Sequence, residues 1–338
     1  MKQTIVRVPI KYEKRMGVKV ELKKSQHDSE SSLAIKAAWL HYVGGLTQAA
    51  VAKRLGLTSV KTHRLIAKAV ADGVVKVTID GRITECAELE NKLIERYGLN
   101  NCIVAPDLGE EGIPLKALGQ AGGSFMRTIL ANSTNITIGL ALGRALSSVV
   151  NQLPNMDTPD VRFVSLLGGL TRDYSINRDD VLHWIAAKTG APSYSMPVPL
   201  LANSEEDKAV LMAQKGVKEV FAMANNAEIK LIGIGTVAQT AQLVVSGPIR
   251  PEEIVEIARA GAVGEAMGHF FDNKGNIIRT ALSERMLSVS IDGNPHGEVV
   301  AIAGGEEKIE AIKAVLEGQL LTGLITDEKS ARAILAEL

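Results

Sequence analysis

The chain has 338 residues, 46% apolar, 4% aromatic and 22% charged, with a formal net charge of zero. This composition excludes a disordered, collagen-like or disulfide-stapled chain, and Cys86 and Cys102 alone give no disulfide framework. No run approaches the ~18 continuous apolar residues of a membrane span, and the opening MKQTIVRVPIKYEKR lacks the apolar core of a secretory leader, so the sequence reads as cytoplasmic.

The charge is unevenly spread. Residues 1–80 carry 15 Lys and Arg against 6 Asp and Glu, a balance of +9, and residues 81–338 offset it with −9. Such a split points to an N-terminal part that meets a polyanion. Residues 1–30 hold eight Lys or Arg with little apolar periodicity and read as a solvated basic arm. Residues 31–84 have the pattern of a winged helix-turn-helix. Leu33, Ile35, Ala37, Ala38, Leu40 and Val43 make the apolar face of a helix that Gly44-Gly45 breaks. Thr47 is placed to cap a second helix, Gln48 to Leu55, and Gly56 supplies the turn. Thr58 caps a third helix, Ser59 to Asp72, with Val60, Leu65, Ile66 and Val70 apolar and Gly73 as its stop. Val75 to Ile79 then alternates at period two, Asp80-Gly81 is a hairpin turn, and Arg82-Ile83-Thr84 opens a return strand.

In a helix-turn-helix the start of the second helix presents donors to base edges and phosphates. Here that start offers Thr58, Ser59, Lys61, Thr62, His63 and Arg64 and no acid. With Thr47, Gln48 and Lys68 they form the candidate DNA-binding set. Lys53, Arg54, Lys76 and Arg82 are further candidates for the phosphate backbone. The plainer alternative for this unit is a three-helix module for dimerisation or protein binding.

Residues 85–338 alternate strand and helix. Helices are expected over 89–97, 115–130, 144–153, 181–188, 205–214, 251–260 and 308–316, with a last one capped by Asp327. Strands are expected over 102–105, 135–138, 161–167, 231–234, 299–303 and 324–326. This is an α/β pattern: a mostly parallel sheet with helices on both faces. Helix 89–97 joins the two parts and is the candidate coupler.

Ligands of such sheets sit beyond the carboxyl ends of the strands. Three strands end in glycine: before Gly139-Leu140-Ala141-Leu142-Gly143, Gly168-Gly169 and Gly304-Gly305. Glycine lets backbone approach a ligand, and free amides at a helix start attract an anion. Arg144 adds a charge-assisted donor. Lys308 stands in the first turn of a helix, where the dipole disfavours a cation by ~0.3–1 kcal/mol. A nearby phosphate or carboxylate accounts for it, as does pairing with Glu306 or Glu307. Asp272, in GHFFDNKGN, is either a hydroxyl-binding carboxylate or a turn residue. The candidate effector set is therefore Gly139, Leu140, Ala141, Gly143, Arg144, Gly168, Gly169, Asp272 and Lys308. The six histidines form no obvious pair and no metal spacing is present, so neither a metal nor a cofactor is expected.

From about Ile35 to Leu335 the chain resembles the SorC/DeoR-type sugar-responsive bacterial transcriptional regulators. The resemblance rests on AAWLHYVGGLTQAAVAKRLGLTSVKTHRL, TIGLALGRAL, SLLGGL, IGIGTV, GAVGEAMGHFFDNKGN, VAIAGGEEKIEAI and LITDEKSARAIL. It implies a C-terminal domain similar in fold to sugar-phosphate isomerases and glucosamine-phosphate deaminases. That domain would bind a phosphorylated sugar or polyol and release or alter operator binding, in a homotetramer that represses a carbohydrate or polyol catabolic operon. By motif, loop 139–144 would approach the ligand's phosphate, and Asp272 and Lys308 would meet its polar groups. One departure stands out: relatives often carry Gly-aromatic-Gly followed by Thr, where this chain has Gly-Leu-Ala-Leu-Gly-Arg. The alternative is an isomerase- or deaminase-like enzyme with an N-terminal extension. Deaminases of this fold share Gly-x-Gly-x-Asp-Gly-His, whereas Gly233-Ile234-Gly235 is followed here by Thr236-Val237-Ala238. The missing Asp and His favour the regulator.

Overall fold

The computed structural model describes residues 26–75, 83–169, 181–291 and 297–336. They form two compact units parted between residues 77 and 78. Most of the expected basic arm (residues 1–25) and hairpin positions 76–82 lie outside the described residues.

The first unit holds α1 (Gln26–Ala38), α2 (Gln48–Leu55) and α3 (Ser59–Ala71), with a turn of π-helix at Trp39–Val43 extending α1. Thr47 Oγ1 accepts from Ala50 N at 3.3 Å and Thr58 Oγ1 from Lys61 N at 3.2 Å, so both expected caps form. Gly56 takes φ 65° to turn the chain between α2 and α3, a conformation that a side chain would strain. The core is built from Ala34, Ala37, Ala38, Val51, Leu65, Ile66 and Ala69. Two expected faces hold in part. On α1 and its extension Ala37 and Ala38 are buried and Leu33 and Leu40 pack against the core, while Ile35 and Val43 are exposed. On α3 the buried face is Thr62, Leu65, Ile66 and Ala69, while Val60 and Val70 face solvent. Small side chains on α1 allow close approach, so the face is set by spacing rather than by bulk.

In the second unit Thr84 does not continue a strand. It opens α4 (Thr84–Tyr97), which starts five residues before the expected Leu89 and ends at Gly98 with φ 68°. Then follow β1 (Asn101–Ala105), α5 (Leu115–Asn132), β2 (Ile136–Leu140), α6 (Arg144–Gln152), β3 (Val161–Ser165), α7 (Val181–Thr189), β4 (Ser193–Tyr194), α8 (Glu205–Ala213), α9 (Lys215–Asn225) and β5 (Ile229–Ile232). The chain continues through β6 (Gly235–Thr236), α10 (Gln242–Val245), α11 (Pro251–Arg259), β7 (Gly264–Ala266), β8 (His269–Phe271), β9 (Ile277–Ile278), β10 (Glu298–Ile302), α12 (Ile309–Glu317), β11 (Gly323–Asp327) and α13 (Glu328–Leu335).

Seven strands make one sheet in the order β1-β11-β10-β5-β2-β3-β4, with every pair parallel. Central strands read as unbroken apolar runs because both faces are covered: Val299 to Ile302 are all buried, as is the whole of β11. Edge strand β1 is closed off by α4, where the buried Glu90 carboxylate accepts from Val104 N at 3.1 Å. A second, antiparallel sheet, β6-β7-β8-β9, was not foreseen. Its strands have two or three residues, too few for alternation to register.

The direction of winding reverses beside β2. From β2 the chain moves outward through β3 and β4; it then returns to place β5 on the other flank of β2 and moves away through β10 and β11. Loops leaving β2 and β5 thus diverge and leave a crevice at their carboxyl ends, where open α/β sheets hold ligands.

Candidate functional site

The crevice is lined by Ala141, Leu142, Gly143 and Arg144 after β2, by Gly233 to Thr236 after β5, and by Glu307 and Lys308 after β10. Glu265 of β7, with Thr240 and Gln242, completes its polar lining. Gly143, at φ 137°, leads directly into α6, and the first intrahelical bond there runs from Ser147 N to Gly143 O. The amides of Arg144, Ala145 and Leu146 therefore have no carbonyl within the helix, and all three residues line the crevice.

Charge is concentrated here. Burial pulls the Lys308 ammonium below its ordinary value, and Arg144 beside it pushes the same way, against Glu307 and Glu265. Burial drives the Glu265 carboxyl up to about 7, although the Gly268 amide and Lys308 both favour its charged form. Gly268 N donates to Glu265 Oε1 at 2.5 Å. A side chain at Gly235 would bring its Cβ within 2.6 Å of Glu265 Oε2, so glycine keeps that carboxylate accessible. Two cations and a helix N-terminus suit a phosphate or another anion. Glu265, Thr236, Thr240 and Gln242 suit hydroxyl groups.

The structure brings together four of the nine sequence-derived effector candidates: Ala141, Gly143, Arg144 and Lys308. The other five stand elsewhere. Gly139 and Leu140 are buried inside β2, and a side chain at Gly139 would collide with Leu166. Gly168 packs against the backbone of Val198 and Pro199, and its amide donates to Leu287 O at 2.9 Å. Gly169 N donates to Val198 O at 2.9 Å. These two glycines serve a chain crossing. The Asp272 carboxylate is spent on its own turn, accepting from Lys274 N and Asn276 N at 2.9 Å and from Asn276 Nδ2 at 3.0 Å. Those bonds hold it below the usual carboxylate range, the Asn276 amide contributing most. Glu265 is the acid that reaches the crevice. It stands in the same GAVGEAMGHFFDNKGN block, and its flanking glycines were the available signal.

The first unit presents a different surface. Ser59, Lys61, His63 and Arg64 are exposed along the start of α3. His63 Nδ1 donates to Gln48 Oε1 at 3.2 Å, tying the two helices together. Arg64 lies 3.8 Å from Glu30, and Lys68 pairs with Asp72 at 3.1 Å. The Thr47 and Thr58 hydroxyls are engaged as caps. Thr62 must be removed from the DNA-binding set. It is fully buried, because it lies on the face of α3 that packs into the core, and its hydroxyl has no partner among the described residues.

Among the described residues no helix is long and apolar enough to cross a membrane, and no group of three His, Cys, Asp or Glu could hold a metal ion. Comparison with known proteins is consistent along the chain. A family model described as "Putative sugar-binding domain" matches residues 81–336. The erythritol catabolism regulatory protein EryD of Brucella abortus (strain 2308) is 56% identical over 310 residues, covering 92% of this chain and 98% of that protein. The transcriptional regulator LsrR of Enterobacter sp. (strain 638) is 33% identical over 315 residues, covering 91% and 94%. The crystal structure of the full-length sorbitol operon regulator SorC from Klebsiella pneumoniae superposes with a TM-score of 0.69 at 25% identity, covering 90% of this chain and 98% of that one. A helical N-terminal unit, a parallel α/β unit with a polar crevice at its switch point, and relatives that match over 90% or more of the chain lead to one assignment: the chain belongs to the SorC/DeoR-type family of sugar-binding transcriptional regulators.

Proposed function

We propose that this chain represses a catabolic operon for a short polyol, and that a phosphorylated polyol or sugar bound in the crevice weakens its hold on operator DNA. Residues 31–84 read the duplex, and residues 85–338 hold the effector and assemble the chain into a homotetramer. The observation that carries the reading is the convergence of Arg144, Lys308 and the α6 amides on one crevice, with Glu265 facing them. The cations and amides take the phosphate; Glu265 and Thr236 take hydroxyls. The relative named for erythritol catabolism supports a four-carbon polyol as the backbone of the effector.

Glu265 titrates where a general acid or base works best, so turnover has to be tested beside binding. The crevice binds its ligand and releases it unchanged. Thermal unfolding with erythritol, other tetritols, their phosphates and larger sugar phosphates is the direct test. A ligand at 100 times its Kd adds about 2.7 kcal/mol of apparent stability. One phosphorylated polyol should raise the melting temperature and lower operator affinity, without being consumed. No shift with any of these compounds, or their rapid conversion, would count against the proposal.

A further inference from the structure

We infer that Val60 contacts the methyl group of a thymine in the major groove and is a specificity-determining residue of the operator contact; this rests on the DNA-binding function proposed above. The buried face of α3 is Thr62, Leu65, Ile66 and Ala69. At roughly 100° per residue, the line opposite that face runs through Val60 and Arg64, one turn apart. Lys61 and His63 flank it on either side. Val60 is 80% exposed, more than any other large apolar side chain described in the chain. It lies outside the core of its unit and takes no part in the cap that Thr58 makes with Lys61. A β-branched residue also lowers helix propensity. Neither packing nor helix formation therefore accounts for a valine here.

Its surroundings say what covers it. Lys61 and Arg64 stand beside it on α3, Lys53 and Arg54 lie in the last turn of α2, and neither helix has an acid in its first turn. That charge complements a polyanion, not an apolar protein face. Within a duplex, the one apolar group that distinguishes a base edge in the major groove is the C5 methyl of thymine. A recognition helix lying in the groove brings its N-terminal residues to those edges. Val60 offers two methyls there, while Arg64, one turn on, offers donors to the adjacent base or phosphate.

The test uses the full-length protein and duplexes it selects from a randomised library. Each thymine of the selected site is replaced singly by deoxyuridine, which removes only the methyl. The wild-type protein should lose about fourfold in affinity at one thymine per half-site, the worth of burying one methyl. Val60→Ala should bind the parent duplex about fourfold more weakly and lose nothing further at that thymine. The other thymines should affect both proteins alike. Sedimentation should be unchanged in the variant because the side chain is exposed, and thermal unfolding should be unchanged or slightly later because alanine favours helix. Equal losses in both proteins at every thymine would overturn the proposal. A changed mass for Val60→Ala would also overturn it, by placing Val60 in a protein contact. Failure of the wild-type protein to select any duplex would take down the DNA-binding reading and this proposal together, an outcome distinct from the other two.

Discussion

At Glu265, burial and charge pull against each other. Desolvation disfavours the carboxylate, while the Gly268 amide and the Lys308 ammonium favour it, and burial prevails to hold the group at about 7. Folding therefore raises this carboxyl above the ordinary 4.5. Between those values the folded chain binds a proton that the unfolded chain releases. The resulting stabilisation is full below about pH 4.5 and is lost as pH rises through about 7. At 1.36 kcal/mol per pH unit, the whole effect is on the order of 3 kcal/mol. Melting temperatures measured from pH 5 to pH 8 should fall in the wild-type protein, and Glu265→Gln should flatten that slope. An unchanged slope in the variant would assign the proton elsewhere. Thr62 shows a different residue-scale balance. An unpartnered buried hydroxyl costs about 1–3 kcal/mol; that of Thr62 has no partner among the described residues, and the same turn leaves Lys61 and His63 exposed.

The elements around the crevice are held from behind. Asp327, at the end of β11, caps α13 by accepting from Ser330 N at 3.0 Å and takes Ser330 Oγ at 2.5 Å. The same carboxylate accepts from Gly305 N at 3.2 Å, and Ser330 Oγ accepts from that amide at 2.8 Å. The loop after β10 is thereby fixed by the β11–α13 junction, and Lys308 follows within one turn. Gly304 has to be glycine, since a Cβ would run into Asp327. Asp327→Asn replaces one accepting oxygen with a donor that faces the Gly305 amide. It should cost about 2 kcal/mol in unfolding free energy, in the range of hydrogen bonds to charged groups. It should also weaken the binding of the effector that stabilises the wild-type protein, while operator affinity without effector is kept. Denaturant unfolding, ligand titration and a gel-shift assay read the three effects, and intact effector binding would show that the loop does not need this anchor.

Across the whole molecule the two functions should separate by mutation. Arg64→Ala should weaken operator binding by about 1–3 kcal/mol, as loss of one Arg contact does, and leave effector binding unchanged. Lys308→Ala should keep operator binding and lose the response to effector. Coupling in such switches amounts to 1–3 kcal/mol, about 5- to 150-fold in affinity. Fluorescence anisotropy with labelled operator, with and without effector, measures both variants. A Lys308→Ala protein that still responds in full would remove that lysine from the site. The charge split, the capped helix-turn-helix and the alternating α/β pattern were all legible in the residues, because caps, glycine turns and apolar periods are local. Arg144 and Lys308 were legible too, since each announces itself at a helix start. Tertiary packing alone decided which glycines serve the crevice and which serve a chain crossing. It also decided that Glu265 rather than Asp272 faces the cations, and that α3 turns Thr62 inward and Val60 outward. Those choices depend on distances between residues far apart in the chain, and a local pattern carries no record of which distant backbone will lie against it.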